Sequence, residues 1–173
     1  MSTESESPSS LTKLEVRVKS PSIPASFSPP IPLSVQVSVL NNAESPVTVL
    51  AWGAVLDPRA NVLGPFEIRD ADTDEFVTLN TIKFARQLPP PREDFVEIAS
   101  GGSVDAEITI PLVPLVEGHR YTIQAKGWWQ AIWEKALDDV PADDLLRLTG
   151  AERGSFESEV VPITVEDTAG DLK

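Results

Sequence analysis

The chain has 173 residues, with 27 acidic and 14 basic side chains and a formal net charge of −13. This length fits one domain with a core of its own. The negative balance argues against nucleic acids and membranes as partners, because both need a positive surface to attract them. The chain contains no cysteine, which excludes disulfides, thiol nucleophiles and thiolate metal sites.

The two ends differ in composition from the middle. Residues 1–10 are rich in Ser and Glu and residues 166–173 are polar, so both are predicted to be solvated tails around a domain at 11–165. The first residues lack the basic and apolar regions of a signal peptide. No apolar run approaches the roughly 18 residues that a membrane span needs. These features predict a cytoplasmic protein.

Alternation of apolar and polar side chains dominates the middle of the chain. The clearest example places apolar residues at every second position: Leu33, Val35, Val37 and Val39. This period is typical of a strand with one face on a core. Further strands are predicted at 14–19, 47–52, 66–70, 76–79, 95–98, 104–110, 121–127 and 156–165. Many short strands separated by turns predict an all-β fold, an immunoglobulin-like Greek-key β-sandwich.

A local motif supports the sandwich. Leu115, Gly118 and Tyr121 form an L-x-x-G-x-x-Y pattern just before a predicted strand. In Greek-key sandwiches a tyrosine at this place turns its hydroxyl back onto the backbone of the preceding loop, forming a tyrosine corner.

The stretch 128–150 departs from the strand period. Apolar residues recur there at helical spacing, at Trp129, Ile132, Trp133 and Ala136. A second helical segment is predicted after Pro141, with Asp143 and Asp144 in its first turn and Gly150 after its end. We therefore expect a short helical insertion before the last strand.

Two groups of residues invite a test for metal binding. The run Asp70-x-Asp72-x-Asp74-Glu75 begins like a calcium loop, but Glu75 and Thr81 stand where an EF-hand needs glycine and glutamate. A solvated acidic turn is the preferred interpretation. His119 is the single histidine, too few for a zinc site with two histidines, and is expected on a surface loop. No metal is predicted.

No constellation of residues indicates an enzyme. Glycine-rich phosphate loops and a nucleophile elbow are absent from the sequence, so no cofactor and no catalytic residue is predicted. A hydrolase that uses paired carboxylates stays open as a third possibility, since 27 acids allow many pairs. A concave pocket holding two acids of unlike pKa would support it.

The four tryptophans are the main candidates for residues that contact a ligand. Trp128, Trp129 and Trp133 lie within six positions and Trp52 lies on a predicted strand. Trp129 and Trp133 are expected to pack in the core and seat the insertion on the sandwich. If a tryptophan is exposed, we expect Trp128 or Trp129, because neighbours on a strand point in opposite directions. An exposed row of aromatic rings would anchor a protein or stack on sugars.

A basic island and a proline run form the second candidate site. Lys83 and Arg86 flank Phe84 in an acidic chain, and residues 88–91 follow as Leu88, Pro89, Pro90 and Pro91. This run favours extended polyproline structure, which can dock into an aromatic groove. A rigid connection between two strands is the preferred interpretation.

Several of these motifs, in this order, resemble the N-terminal propeptide of fungal deuterolysin-type zinc metalloproteases. The similar segments cover about residues 11–165 and are these: Asn41-Asn42, Pro46 to Gly53, Leu56-Asp57, Ile82 to Arg86, Asp94 to Gly101, Gly118 to Tyr121, and Lys126-Gly127. The resemblance implies a chaperone or inhibitor of a protease. The protease's own His-Glu-x-x-His motif is absent from this sequence, and the 128–150 segment has no counterpart.

The sequence thus predicts a non-enzymatic β-sandwich that binds another protein, and the resemblance implies that this partner is a protease that the domain restrains. The predicted contact residues are Trp128, Trp129, Trp133, Leu88, Pro89, Pro90 and Pro91. The alternative function is a carbohydrate-binding module that uses the clustered tryptophans.

Overall fold

The computed structural model describes residues 13–82 and 86–166. Eleven strands form within these residues: β1 (Leu14–Lys19), β2 (Ser22–Ile23), β3 (Ile31–Asn41), β4 (Val47–Leu50), β5 (Phe66–Asp70), β6 (Glu75–Phe76), β7 (Phe95–Ile98), β8 (Ser103–Val113), β9 (Tyr121–Trp133), β10 (Glu152–Glu157) and β11 (Val161–Val165). Two short α-helices, α1 (Ala60–Leu63) and α2 (Ala142–Arg147), accompany them, with 3₁₀ turns at Arg92–Asp94 and Leu137–Asp139. The predicted tails lie outside the described residues except for Glu166, as do Lys83 and Phe84.

The strands form two packed sheets. The smaller sheet has the order β1-β3-β8, and the larger one has the order β2-β11-β9-β4-β7. Strand β9 organises the larger sheet: its first half pairs with β5 and β11, and its second half pairs with β4 and β10. The all-β sandwich predicted from the alternating side chains is confirmed.

Strand β3 shows how the alternation builds the core. Leu33, Val35, Val37 and Val39 are all buried, while the residues between them face solvent or the rim. Burying such a side chain contributes about 1.5–3 kcal/mol to the free energy that stabilises the folded state. These valines meet β9 residues such as Ile123 and Trp129 in one cluster between the two sheets.

The tyrosine corner is present. Tyr121 is buried at the start of β9, and its hydroxyl oxygen accepts a hydrogen bond from the Val116 N–H at 2.8 Å. Leu115 is fully buried beneath the loop. Gly118 has a φ of 86°, a left-handed conformation that glycine adopts at little cost. The motif therefore closes the loop that leads into β9.

Asn41 joins the turn after β3 to the end of β7. Its side-chain amide nitrogen donates to the carbonyl oxygens of Ser45 and Ile98, and its side-chain oxygen accepts from the Ala43 N–H. The residue is fully buried. A buried amide is tolerated when its hydrogen bonds are made. The hydrogen bonds of Asn41 therefore stabilise this particular turn conformation and hold it against the end of β7.

The helix predicted around Trp128–Ala136 is wrong, because β9 continues as a strand through Trp133. A β-bulge in β9 explains why the apolar residues of this segment recur at a helix-like spacing. The pairing of β9 with β10 shifts between Gly154, opposite Trp129, and Glu152, opposite Ile132. One extra residue in a strand changes which face the following side chains occupy. Trp129 and Ile132 consequently face the same core three positions apart.

The later part of the insertion is helical as expected. Helix α2 follows Pro141, which caps it rather than occupying its first turn, and it ends at Leu148 in a left-handed conformation with φ 57°. Gly150 follows two residues later. The single strand predicted over 156–165 is instead two strands, β10 and β11, separated by residues 158–160. Within residues 13–82 and 86–166, no helix has the length and apolar character to cross a membrane.

Candidate binding surface around Trp128

Of the four tryptophans, Trp128 alone has a largely exposed side chain. It is 53% exposed, while Trp129 is 1%, Trp133 is 2% and Trp52 is 6% exposed. The core interpretation of Trp129 and Trp133 fits these values, and neither can touch a partner in this conformation. The three clustered tryptophans therefore do not form one exposed row.

The inward packing of its neighbours fixes Trp128 on the outer face of β9. Phe156 lies opposite Gly127 and packs on Trp129, with 5.1 Å between the two ring centroids. A Cβ at Gly127 would lie 2.9 Å from the Phe156 ring, so only glycine leaves room for it. Because side chains alternate along a strand, Trp128 must point away from this core.

Beyond the bulge, the outer face of the larger sheet is covered. Ala131 and Trp133 belong to a second apolar cluster with Trp52 and Phe95. Residues 134–151 lie over it, contributing Val140, Leu137, Leu145, Leu148 and Ala151. The Trp133 Nε1–H donates to the carbonyl oxygen of Thr149 at 2.9 Å, which ties the cover down. Trp128 remains exposed next to this covered part of β9.

Charged and polar side chains surround Trp128. We define the Trp128 surface as the outward residues of β9 and β10 around this ring: Lys126, Trp128, Gln130, Arg153, Ser155 and Glu157. Ser155 lies directly opposite Trp128, and Glu157 lies opposite Lys126. All six are exposed. A large aromatic ring inside a polar rim is typical of the centre of a protein-binding surface.

The proline run lies on another part of the fold. Leu88 is exposed together with Pro89 and Pro91, whereas Pro90 is buried. The run leads through a 3₁₀ turn into β7, the edge strand beyond β4, while Trp128 lies on the β10 side of β9. The two predicted sites thus do not form one surface.

Arg86, the described residue of the basic island, forms an ion pair that no local pattern in the sequence indicated. Asp57 is fully buried and accepts two hydrogen bonds from the Arg86 guanidinium, at 2.6 and 2.9 Å. The N–H groups of Gly53 and Arg59 also donate to this carboxylate. Arg86 stacks on the Trp52 ring, 5.3 Å from its centroid. Burial raises the pKa of Asp57, but these donors outweigh it and hold the pKa below its ordinary value.

The acidic turn and His119 form a second polar network. His119 Nδ1 lies 2.6 Å from a carboxylate oxygen of Asp70, and the other oxygen of Asp70 accepts from the N–H groups of Asp72 and Thr73. The Arg120 guanidinium and N–H bind the Asp72 carboxylate. His119 is therefore partnered and half-buried rather than free on the surface.

Three of these groups have the chemistry of metal ligands. Asp70, Asp72 and His119 offer ligand atoms within 4.8 Å of one another. The Asp72 carboxylate already receives the positive charge of Arg120, and the Asp70 carboxylate pairs with His119. The residues are accordingly arranged as an ion-pair network that holds the β5–β6 turn against the loop before β9.

The His119–Asp70 pair predicts a pH dependence of stability. The hydrogen bond to Asp70 raises the pKa of His119, and the same bond lowers the pKa of Asp70. Stabilisation by protonated His119 is complete below its unfolded pKa of about 6.5 and is lost as pH rises through the raised folded pKa. The Asp70 contribution is complete above its unfolded pKa of about 3.9 and is lost at lower pH.

We therefore expect the free energy of unfolding to fall as the pH rises above about 6.5 in the wild type, and to fall less in His119→Gln. Urea denaturation at a series of pH values measures this difference. Parallel profiles for the two proteins would contradict the assignment of the pair.

Comparison with known proteins identifies the family of this sandwich. The family model of the immunoglobulin-like domain matches residues 6–165. The chain belongs to the immunoglobulin-like domain family. Its match spans nearly the whole sequence, so the immunoglobulin-like domain includes the β9–bulge–β10 unit that presents Trp128.

One relative bears on the predicted location. An uncharacterised secreted protein of Arthroderma benhamiae is 41% identical over 137 residues, which cover 77% of this chain and 69% of that protein. The cytoplasmic location predicted from the first residues is contradicted by this secreted relative. The composition of the first residues therefore did not predict the location correctly. The resemblance to deuterolysin propeptides is borne out only at the coarser level of an immunoglobulin-like domain with a fungal relative.

Among solved structures, this immunoglobulin-like domain is similar to the X-ray structure of a target of the Northeast Structural Genomics Consortium. The two share 10% identity over 88% of this chain and 87% of that chain, with a TM-score of 0.45.

Proposed function

We propose that this immunoglobulin-like domain is a non-catalytic binding module that docks a protein partner on the Trp128 surface. The exposed Trp128 ring is the observation that carries the proposal. Strand β9 holds the ring rigidly, because Trp129 and Phe156 fix the strand from the inner side. A preorganised aromatic residue loses little conformational freedom on binding and commonly supplies much of the binding energy.

The partner is proposed to be extracellular. The secreted relative supports this location, and the net charge of −13 favours partners with a basic surface. The resemblance of the sequence to deuterolysin propeptides makes a secreted zinc metalloprotease the first partner to test, with this domain acting as its inhibitor or chaperone.

A capture experiment with matched variants tests the surface. Wild type, Trp128→Ala and Leu146→Ala are immobilised and exposed to secreted proteins of the source organism. Leu146 on α2 is also an exposed apolar residue, at 48%, so its removal controls for loss of surface hydrophobicity. We expect a specific protein to bind wild type and Leu146→Ala and to bind Trp128→Ala at least tenfold more weakly. Equal retention by all three would contradict the proposal.

A carbohydrate ligand is the alternative occupant of the same surface, because an exposed tryptophan on a strand face can stack on a sugar ring. The other three tryptophans are buried, so oligosaccharide binding would alter mainly the fluorescence of Trp128. A change in wild type that is lost in Trp128→Phe would favour sugar over protein. A constant spectrum across a glycan panel would exclude this alternative.

A further inference from the structure

Strand β1 has one paired edge and one open edge. It pairs with β3 along its whole length, from Leu14 opposite Asn41 to Lys19 opposite Gln36. Within residues 13–82 and 86–166, no strand pairs with its other edge. An open edge presents backbone donors and acceptors to any extended chain that approaches it.

The register determines which backbone groups point outward. The Asn42 N–H donates to the Lys13 carbonyl oxygen at 2.9 Å, so residues 13 and 42 form a hydrogen-bonded pair of the antiparallel ladder. Such pairs alternate with pairs whose N–H and C=O groups point away from the partner strand. Residues 15, 17 and 19 therefore bond to β3, and the N–H and C=O groups of Leu14, Val16 and Val18 point to the open edge.

The outward backbone groups of Val16 and Val18 face a cleft between the two sheets. The cleft has a volume of about 360 Å³ and is lined on one side by residues 15–18 of β1 and on the other by Glu157, Glu159 and Val161. Val16 and Val18 are only 5% and 8% exposed. Shielded backbone groups are normally hydrogen-bonded, so the cleft offers a bonding row that the described strands leave open.

The cleft carries more negative than positive charge, which favours a basic ligand. Glu15, Glu157 and Glu159 contribute three carboxylates, while Arg17 contributes one guanidinium that is already bound to Glu15 at 2.8 Å. Glu157 and Glu159 are exposed at the rim. A basic side chain would be attracted to this rim. A second copy of the chain, itself at −13, would be repelled.

We propose that an extended segment of another protein, carrying apolar and basic residues, adds to the open edge of β1 as a further strand. Its backbone bonds to Val16 and Val18, its apolar side chains enter the cleft beside Val161, and its lysine or arginine pairs with Glu157 or Glu159. Strand addition of this kind obtains affinity from main-chain hydrogen bonds and specificity from side chains. This site is separate from the Trp128 ring, although Glu157 borders both.

Amide hydrogen exchange of the ¹⁵N-labelled protein, followed by NMR, tests the proposal. The probe is an eight-residue peptide of alternating Val and Lys, and the controls are a Val–Glu peptide and a backbone-N-methylated Val–Lys peptide. In the free protein, the amides of Val16 and Val18 should exchange faster than that of Arg17. The Val–Lys peptide should slow them at least tenfold and leave Arg17 unchanged, and neither control peptide should do so.

Two variants with the same change in net charge separate the cleft from a general charge effect. Glu159→Lys should weaken binding of the Val–Lys peptide about tenfold, whereas Glu107→Lys, on the outer face of β8, should change it less than twofold. Equal protection of residues 16, 17 and 18 in the free protein, or equal binding of both charged peptides, would overturn the proposal. Protection that rises with protein concentration alone would assign the edge to a second copy and would also overturn it.

Discussion

Replacing Asp57 with alanine is expected to lower the free energy of unfolding by about 3–5 kcal/mol. The substitution removes the carboxylate that binds Arg86 at 2.6 and 2.9 Å. It removes the carboxylate that binds a guanidinium only 19% exposed, and with it the acceptor of the Gly53 and Arg59 N–H groups. Breaking a buried pair on one side costs more than the pair itself contributes, because the remaining partner keeps its desolvation penalty after losing its strongest interaction.

A double-mutant cycle measures this coupling. Chemical denaturation of Asp57→Ala, Arg86→Leu and the double variant should give an interaction energy of about 1–3 kcal/mol. The control is Asp143→Ala, which removes the exposed Asp143–Arg147 pair, 3.5 Å apart, and should cost less than about 1 kcal/mol. Additive effects of the two single substitutions would show that Asp57 and Arg86 do not act as a pair.

Alanine substitutions of the two neighbouring tryptophans, Trp128 and Trp129, are expected to differ strongly in their effect on the stability of the fold. Trp129→Ala should lower the free energy of unfolding by about 3–5 kcal/mol, because it opens a cavity in the core. Trp128→Ala should change it by less than about 1 kcal/mol, because the exposed ring makes few core contacts. The Trp129 variant therefore cannot test binding, since loss of the fold would itself abolish any interaction.

Urea denaturation of both variants, with their circular dichroism compared with wild type, checks this pair. Equal destabilisation by the two substitutions would mean that the side-chain alternation assigned to β9 is wrong. A folded Trp129→Ala with unchanged stability would lead to the same conclusion.

The sequence was sufficient to predict the architecture wherever a residue's environment depends on its nearest neighbours. The alternation in β3 and the L-x-x-G-x-x-Y motif each predicted what the structure contains. The pattern around Trp129 misled for a physical reason. A bulge places Trp129 and Ile132 on one core three positions apart, and this spacing resembles that of a helix.

The ion pair shows what periodicity cannot reveal. Asp57 and Arg86 are 29 positions apart and lie on different connections between strands. In the sequence each is only a charged residue within a separate motif, and Arg86 is part of the basic island. Pairing between distant loops depends on the complete fold, so no local pattern indicated it.

The sequence limits the exposed tryptophan to two candidates but does not decide between them. Neighbouring residues on a strand face opposite sides, which limited the choice to Trp128 or Trp129. The contact between Gly127 and Phe156 decides between them, and that contact depends on the register of β10 with β9.

Quenching of tryptophan fluorescence by acrylamide tests the role of Trp128 most directly. Wild type and Trp128→Phe are measured alone and with the protein that wild type captures. We predict an easily quenched component in wild type that disappears in the variant and when the partner is added. A component that persists in the complex, or a Trp128→Phe variant that binds the partner as tightly as wild type, would contradict the assignment of this surface.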